Sequence, residues 1–177
     1  DCWTEHLKTA ARTEGERVLV TCKCPQFPNC NYIGIDIKGS RIWKGAKFAV
    51  ENELKNVRFL RTQIEFLPFC FSKNEVSEIW ITFPDPQIKY RRRKKRLTGI
   101  NMLNRYQSVL QKGGLLHLKT DSHFLHGYTL GVLVQTNFGG VLTIAGESIG
   151  KKLKKYTFRK SNYEKGDGSC MIVIITD

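Results

Sequence analysis

Hydrophobic positions along the chain follow two alternating rhythms. Short apolar runs rich in β-branched and aromatic residues fall at Val18–Val20, Tyr32–Ile35, Val57–Leu60, Glu78–Phe83, Leu115–Leu118, Val141–Ile144 and Met171–Ile175. Such runs read as strands covered on both faces. Between several of them apolar residues recur at helical spacing. Ser40 opens a helix reaching about Lys55, with Ile42, Trp43, Ala46, Ala49, Val50 and Leu54 on its apolar stripe. A second helix covers Ile100 to Leu110, burying Leu103, Tyr106, Val109 and Leu110, and Lys112-Gly113-Gly114 is expected to end it. A third covers Ser122 to Gln135, a short one is expected at His6 to Thr13, and Glu65 to Phe71 reads as a short helix or loop. Strands alternating with helices predict an α/β fold: a Rossmann-like, doubly wound, mostly parallel sheet of about seven strands. No internal repeat interrupts it, and residues 1–177 read as a single domain.

The polar positions at the strand ends carry the candidate chemistry. Asp36, Asp85 and Asp121 each follow a strand, and in a parallel sheet all three reach one rim, the edge where ligands bind. Asp36 follows the second strand, where an acid takes a ribose hydroxyl pair in nucleotide-binding sheets. It lies too early to cap a helix opened by Ser40, whereas Asp121 has a capping alternative for the helix beginning near Ser122. Asp85 sits between Pro84 and Pro86, and the fixed φ of each proline predicts a stiff turn. Directly after it come Lys89 and the cationic run Arg91, Arg92, Arg93, Lys94, Lys95 and Arg96. Each piece alone has a plain reading, a turn and a solvated loop. An acid at a strand mouth abutting a dense cationic arm points instead to chemistry beside a polyanion.

Charge strengthens that reading. The chain of 177 residues carries a formal net charge of +13, with hydrophobic (41%) and charged (25%) fractions ordinary for a globular domain. Such an excess implies nucleic acid or an acidic surface as partner. Lys151 to Lys155 with Arg159 and Lys160 form a second basic cluster. No apolar run approaches the ~20 residues of a membrane span, and Asp1 to Glu5 lacks the features of a secretory leader. Cys2, Cys22, Cys24, Cys30, Cys70 and Cys170 therefore read as free thiols in a reducing compartment. Cys22, Cys24 and Cys30 cluster without a zinc-type spacing or a nearby histidine, so no metal is expected. His6, His117, His123 and His126 form no ligand set, and His117, inside a strand, is expected to be a packed core residue.

At these residues the chain resembles the bacterial tRNA (guanine-N7-)-methyltransferases, a class I S-adenosylmethionine-dependent family. The resemblance runs from about Tyr32 to Thr129. It is carried by YIGIDIKGSRIWKGAK from Tyr32, NVRFLRT from Asn56, EIWITFPDP from Glu78, KRLT from Lys95 and LHLKTD from Leu116. It implies a class I methyltransferase fold and S-adenosylmethionine as cofactor. It also implies that Asp36 holds the adenosine ribose and that Asp85 lies beside both methyl donor and target guanine as the catalytic residue. Lys89 and Asp121 would contact the guanine or its nucleotide, and Arg91, Arg92, Arg93, Lys94, Lys95 and Arg96 the tRNA backbone. A late family motif aligns with Ser161-Asn162-Tyr163-Glu164, making Ser161 and Glu164 substrate-binding candidates. Two departures stand out. Gln63 occupies the place of a cofactor-contacting acid. Val20-Thr21-Cys22-Lys23-Cys24 replaces a strand-ending glutamate and glycine-rich loop. Thr21 to Asn31 supplies eleven residues with two prolines, too few for a turn plus a crossover helix. Either a glycine-rich segment is missing from the sequence or this chain has lost it. A step much longer than ~3.8 Å between consecutive Cα atoms there would favour the former.

The implied function is methyl transfer from S-adenosylmethionine to N7 of a tRNA guanine in the cytoplasm, by a monomer or homodimer. A non-catalytic RNA-binding module with a decayed cofactor site is the alternative, and a methyltransferase for a small or protein substrate is a third.

Overall fold

The computed structural model describes residues 29–136, 141–145, 157–159 and 171–176. The expected helix at His6–Thr13, the strand Val18–Val20, most of the Thr21–Asn31 loop with its Cα-spacing test, Ser161 and Glu164 lie outside them.

Seven strands form one sheet in the order β2-β1-β7-β3-β4-β5-β6. They are β1 (Asn31–Asp36), β2 (Val57–Arg61), β3 (Val76–Thr82), β4 (Leu110–Lys119), β5 (Val141–Ala145), β6 (Thr157–Arg159) and β7 (Met171–Thr176). The helices are α1 (Gly39–Glu51), α2 (Leu67–Cys70), α3 (Ile100–Val109) and α4 (His123–Gln135). Residues Ile64–Phe66 and Tyr90–Lys95 form 3₁₀ helices.

β1 pairs β2, β3 pairs β4, β4 pairs β5 and β5 pairs β6 in parallel. The expectation of a mostly parallel sheet needs one correction at its centre. β7 runs antiparallel to both β1 and β3 and lies between them. In a doubly wound sheet that slot, where the strand order reverses, belongs to the first strand. The composition of β7 accounts for its central place. Ile172, Val173, Ile174 and Ile175 are all buried, so the segment needs cover on both faces, which only an interior strand receives. Ile172 and Ile174 join Ile79, Ile81, Leu116 and Leu118 on the face packed by α2, α3 and α4. Val173 and Ile175 join Tyr32 and Trp80 on the face that carries Ala49 of α1.

Other differences are local. α1 ends at Glu51, not near Lys55, and Trp43 and Val50 of its apolar stripe are exposed. Lys112-Gly113-Gly114 does not end a helix. α3 stops at Val109 and β4 starts at Leu110, so the glycines form a bulge where β4 jumps from Leu110 to Leu115 opposite Val76 to Glu78. Gly113 has φ +81, and a Cβ at Gly114 would meet Ser77 O at 3.1 Å. The three-residue β6 carries too few residues for a periodic signal and was not foreseen. His117 is a core residue as expected. It stacks on Trp80 with ring centroids 4.0 Å apart, and its Nε2 lies 3.5 Å from Glu78 Oε2, which also accepts from Trp80 Nε1.

Candidate active site at the strand rim

Because β1 and β3 both oppose β7, they point the same way, and β4 follows β3. The C-terminal ends of all three therefore share one rim, and with them Asp36, Asp85 and Asp121. The residues at that rim differ sharply in exposure and in partners.

Asp85 is exposed at the tip of an irregular loop. Its Oδ1 accepts a hydrogen bond from Gln87 N at 2.9 Å, closing an Asx turn over Asp85, Pro86 and Gln87. The loop is more constrained than two prolines require. Phe83 (φ +46) and Gln87 (φ +48) bracket Pro84–Pro86 in the left-handed region. Such backbone costs about 1–3 kcal/mol per residue and persists only where neighbours hold it. Phe83 N donates to Lys119 O at 2.7 Å, joining the mouths of β3 and β4, and the Lys119 ammonium lies 5.0 Å from the centre of the Phe83 ring.

Asp121 is exposed, and its carboxylate has no hydrogen bond or ion pair among the described residues. The capping alternative falls to its neighbour. Ser122 is the N-cap of α4, its Oγ accepting from Leu125 N at 3.2 Å, while Ser122 N donates to Thr120 Oγ1 at 3.1 Å. Asp121 is thus held at the rim by a capped helix start, with its own side chain uncommitted.

Asp36 is nearly sealed, its side chain 3% exposed. Oδ1 accepts from Lys38 N at 2.9 Å, and Oδ2 lies 3.1 Å from Arg41 Nε. Gln63 is exposed and precedes the first 3₁₀ helix. Asp36 Oδ2 is buried and accepts no hydrogen bond among the described residues beyond this ion-pair contact, so the carboxylate keeps acceptor capacity of the kind a ribose hydroxyl of S-adenosylmethionine would use.

The basic arm folds as the six-residue 3₁₀ helix Tyr90–Lys95, preceded by Lys89, whose carbonyl accepts from Arg92 N at 2.9 Å. Lys89, Arg91, Arg92, Arg93, Lys94 and Lys95 are exposed and have no acidic partner among the described residues. Arg93 stacks on the exposed Tyr90 ring at 4.0 Å. Arg96 departs from its neighbours. It is buried, its Nε donates to Gln87 O at 3.2 Å and its Nη2 to Ile88 O at 3.4 Å. Its guanidinium also lies over the rings of Tyr128 (4.3 Å) and Phe124 (4.8 Å). Reading the run as uniformly phosphate-facing missed this. The available signal was the pair Phe124 and Tyr128, one turn apart on a helix, which offers a cation two adjacent rings. Of the second basic cluster, only the backbone of Arg159, in β6, is described.

The arrangement can present two carboxylates and a lysine to a polar planar group while an unpaired cationic helix holds a polyanion nearby. No described helix is long and apolar enough to cross a membrane.

Comparison with known proteins gives the chain a family. A family model described as "Putative methyltransferase" matches residues 15–155. A tRNA (guanine-N(7)-)-methyltransferase of Christiangramia forsetii is 64% identical over 106 residues, 60% of this chain and 47% of that protein. The enzyme of the same name from Porphyromonas gingivalis is 52% identical over 126 residues, 71% of this chain and 50% of that protein. One from Bacillus subtilis is 34% identical over 116 residues, 66% and 54% respectively. The chain thus spans about half the length of the curated relatives it matches. With well over half of its residues inside the family model, the chain belongs to this methyltransferase family, and its α/β fold is of the class I S-adenosylmethionine-dependent type.

Proposed function

We propose that the protein transfers a methyl group from S-adenosylmethionine to N7 of a guanine in tRNA. The observation that carries this reading is the exposed Asp85, held in a strained loop directly before an unpaired cationic helix and across the rim from the uncommitted Asp121. The names of the relatives point the same way.

Guanine N7 has a free lone pair, so no general base is needed. The donor supplies an electrophilic sulfonium methyl, and the protein's task is alignment. Asp85 and Asp121 accept from the amino and imino edge of the guanine and fix its plane. As the base becomes cationic, Asp85 stabilises the growing charge, a role that is electrostatic and positional. Lys89 holds the adjoining nucleotide, and Arg91 to Lys95 hold the RNA backbone. Asp36 and Gln63 line the cofactor side of the rim, and Ser161 and Glu164 complete the substrate side. This reading takes residues 1–177 as one doubly wound, mostly parallel domain acting in the cytoplasm. The parallel pairs β1–β2 and β3–β4–β5–β6 support it.

The test is incubation with unmodified tRNA and S-adenosylmethionine, with the product nucleoside identified by mass. Formation of 7-methylguanosine is expected. A protein that binds tRNA but transfers nothing would instead be the non-catalytic RNA-binding module.

A further inference from the structure

We infer that Arg96 is a positioning residue that sets the Asp85 loop against the start of α4, and not a ligand of RNA phosphate. The inference rests on the proposed guanine site and adds to it the device that fixes the spacing of its two exposed carboxylates.

Three observations converge on this residue. Arg96 is 7% exposed, although it ends a run of exposed cations. A buried guanidinium needs partners that satisfy its fixed fork of donors, yet no carboxylate lies against it among the described residues. Its partners are neutral: the carbonyls of Gln87 and Ile88, and the faces of Phe124 and Tyr128.

Those partners belong to two separate parts of the rim. Gln87 and Ile88 continue the loop that carries Asp85, and Gln87 N is the donor that holds the Asp85 carboxylate. Phe124 and Tyr128 lie in the first two turns of α4, whose cap Ser122 directly follows Asp121. The guanidinium therefore bridges the two segments. Gln87 is also one of the two left-handed residues of the loop, a conformation that needs an outside hold. Arg96 grips that residue's carbonyl. Just beyond it, buried Thr98 and Thr129 share a hydrogen bond of 2.7 Å. Thr129 also donates to Leu125 O, so Thr98 is the donor to Thr129. The segment after the arm is thus fastened to α4 independently of Arg96, and losing the guanidinium should free the loop while leaving the helix seated.

Lysine keeps the charge and loses the planar fork, so Arg96→Lys is the informative variant, with Arg96→Ala beside it and Arg93→Ala as the phosphate-contact control. Gln87 amide exchange should quicken at least tenfold in Arg96→Lys, with core amides such as Ile79 and Ile81 unchanged. Single-turnover methyl transfer at saturating tRNA should fall about tenfold or more. The tRNA affinity and its salt slope should stay within about twofold and a few tenths of a unit. Guanidinium at millimolar concentration should restore part of the rate to Arg96→Ala. Arg96→Lys with wild-type exchange and rate, or with core amides loosened in parallel, overturns the inference. So does a salt slope reduced as in Arg93→Ala with the rate intact. If the wild type transfers no methyl group, the proposed function fails on that control, while Gln87 exchange still decides the role of Arg96.

Discussion

Neutralising the cationic helix should weaken tRNA binding by less than its sequence suggests, and by an amount its geometry sets. Residues three apart eclipse in a 3₁₀ helix. The arm therefore presents three edges: Tyr90 with Arg93, Arg91 with Lys94, and Arg92 with Lys95. The 4.0 Å contact between Tyr90 and Arg93 shows this alignment directly. A single RNA backbone can lie against two of the edges at most. Arg91→Ala, Arg92→Ala and Arg93→Ala together remove one cation from each edge and hence at most two phosphate contacts. Each contact contributes ~0.7 to 0.9 to the slope of log affinity against log salt, so the triple variant should lose roughly 1.4 to 1.8. A fourfold rise in salt, from about 50 to 200 mM, then changes the ratio of wild-type to variant affinity by about tenfold. Fluorescence anisotropy of labelled tRNA across a salt series measures both quantities. Pairwise variants of the three edges sharpen the test, because one edge should leave the slope unchanged. Equal losses from all three, or an unchanged slope in the triple variant, would refute the reasoning.

Other outcomes follow from single side chains. Asp85→Asn keeps the oxygen that accepts from Gln87 N and removes the charge. Methyl transfer should drop about 10² to 10³-fold with tRNA affinity within about twofold, and near-wild-type turnover would remove Asp85 from the site. Ile174→Ala, at a fully buried position of the central strand, should cost about 2–5 kcal/mol in denaturant unfolding, and a loss under about 1 kcal/mol would contradict its place there. Burial, and then the neighbouring His123, hold the His126 pKa below its ordinary 6.5. The unfolded chain therefore takes up this proton more readily, so the His126 contribution is intact above about pH 6.5 and lost as pH falls below it. His126→Gln should flatten the fall in stability between about pH 7.5 and 5.5, and an unchanged pH slope would refute the assignment.

The strand segments inside the described residues, β6 apart, were legible because β-branched and aromatic runs report burial on both faces directly. The shared rim of Asp36, Asp85 and Asp121 followed from their places at strand ends. Strand order was not legible. Met171 to Ile175 declares itself buried, but nothing local says that it inserts between β1 and β3 or runs antiparallel. Lys112-Gly113-Gly114 fits a helix end and a strand bulge equally well, and only the approach of Ser77 O to Gly114 decides between them. In the site, an unbroken run of six cations concealed both exposed residues and one buried one. Phe124 and Tyr128, which bury Arg96, come from a distant helix. The ion pair between Asp36 and Arg41 was equally hidden, since acids at strand ends do not announce which cation meets them.

Among the described strands, β7 is the sole hydrogen-bonded seam between the β1–β2 pair and the β3–β4–β5–β6 group. Asn31 pairs with Thr176 across nearly the whole length of the chain, so this seam closes only after long loop closure. Until then, among the described strands, β1 and β3 each present an open backbone edge able to accept a strand from another molecule. Asp36 stands on one side of the seam, Asp85 and Asp121 on the other. A ribosome stall or a proteolytic cut before Met171 would therefore leave two half-sheets, each with an adhesive edge and neither with a whole rim. Exchange of β7 between two intact chains would be a direct route to a strand-swapped dimer.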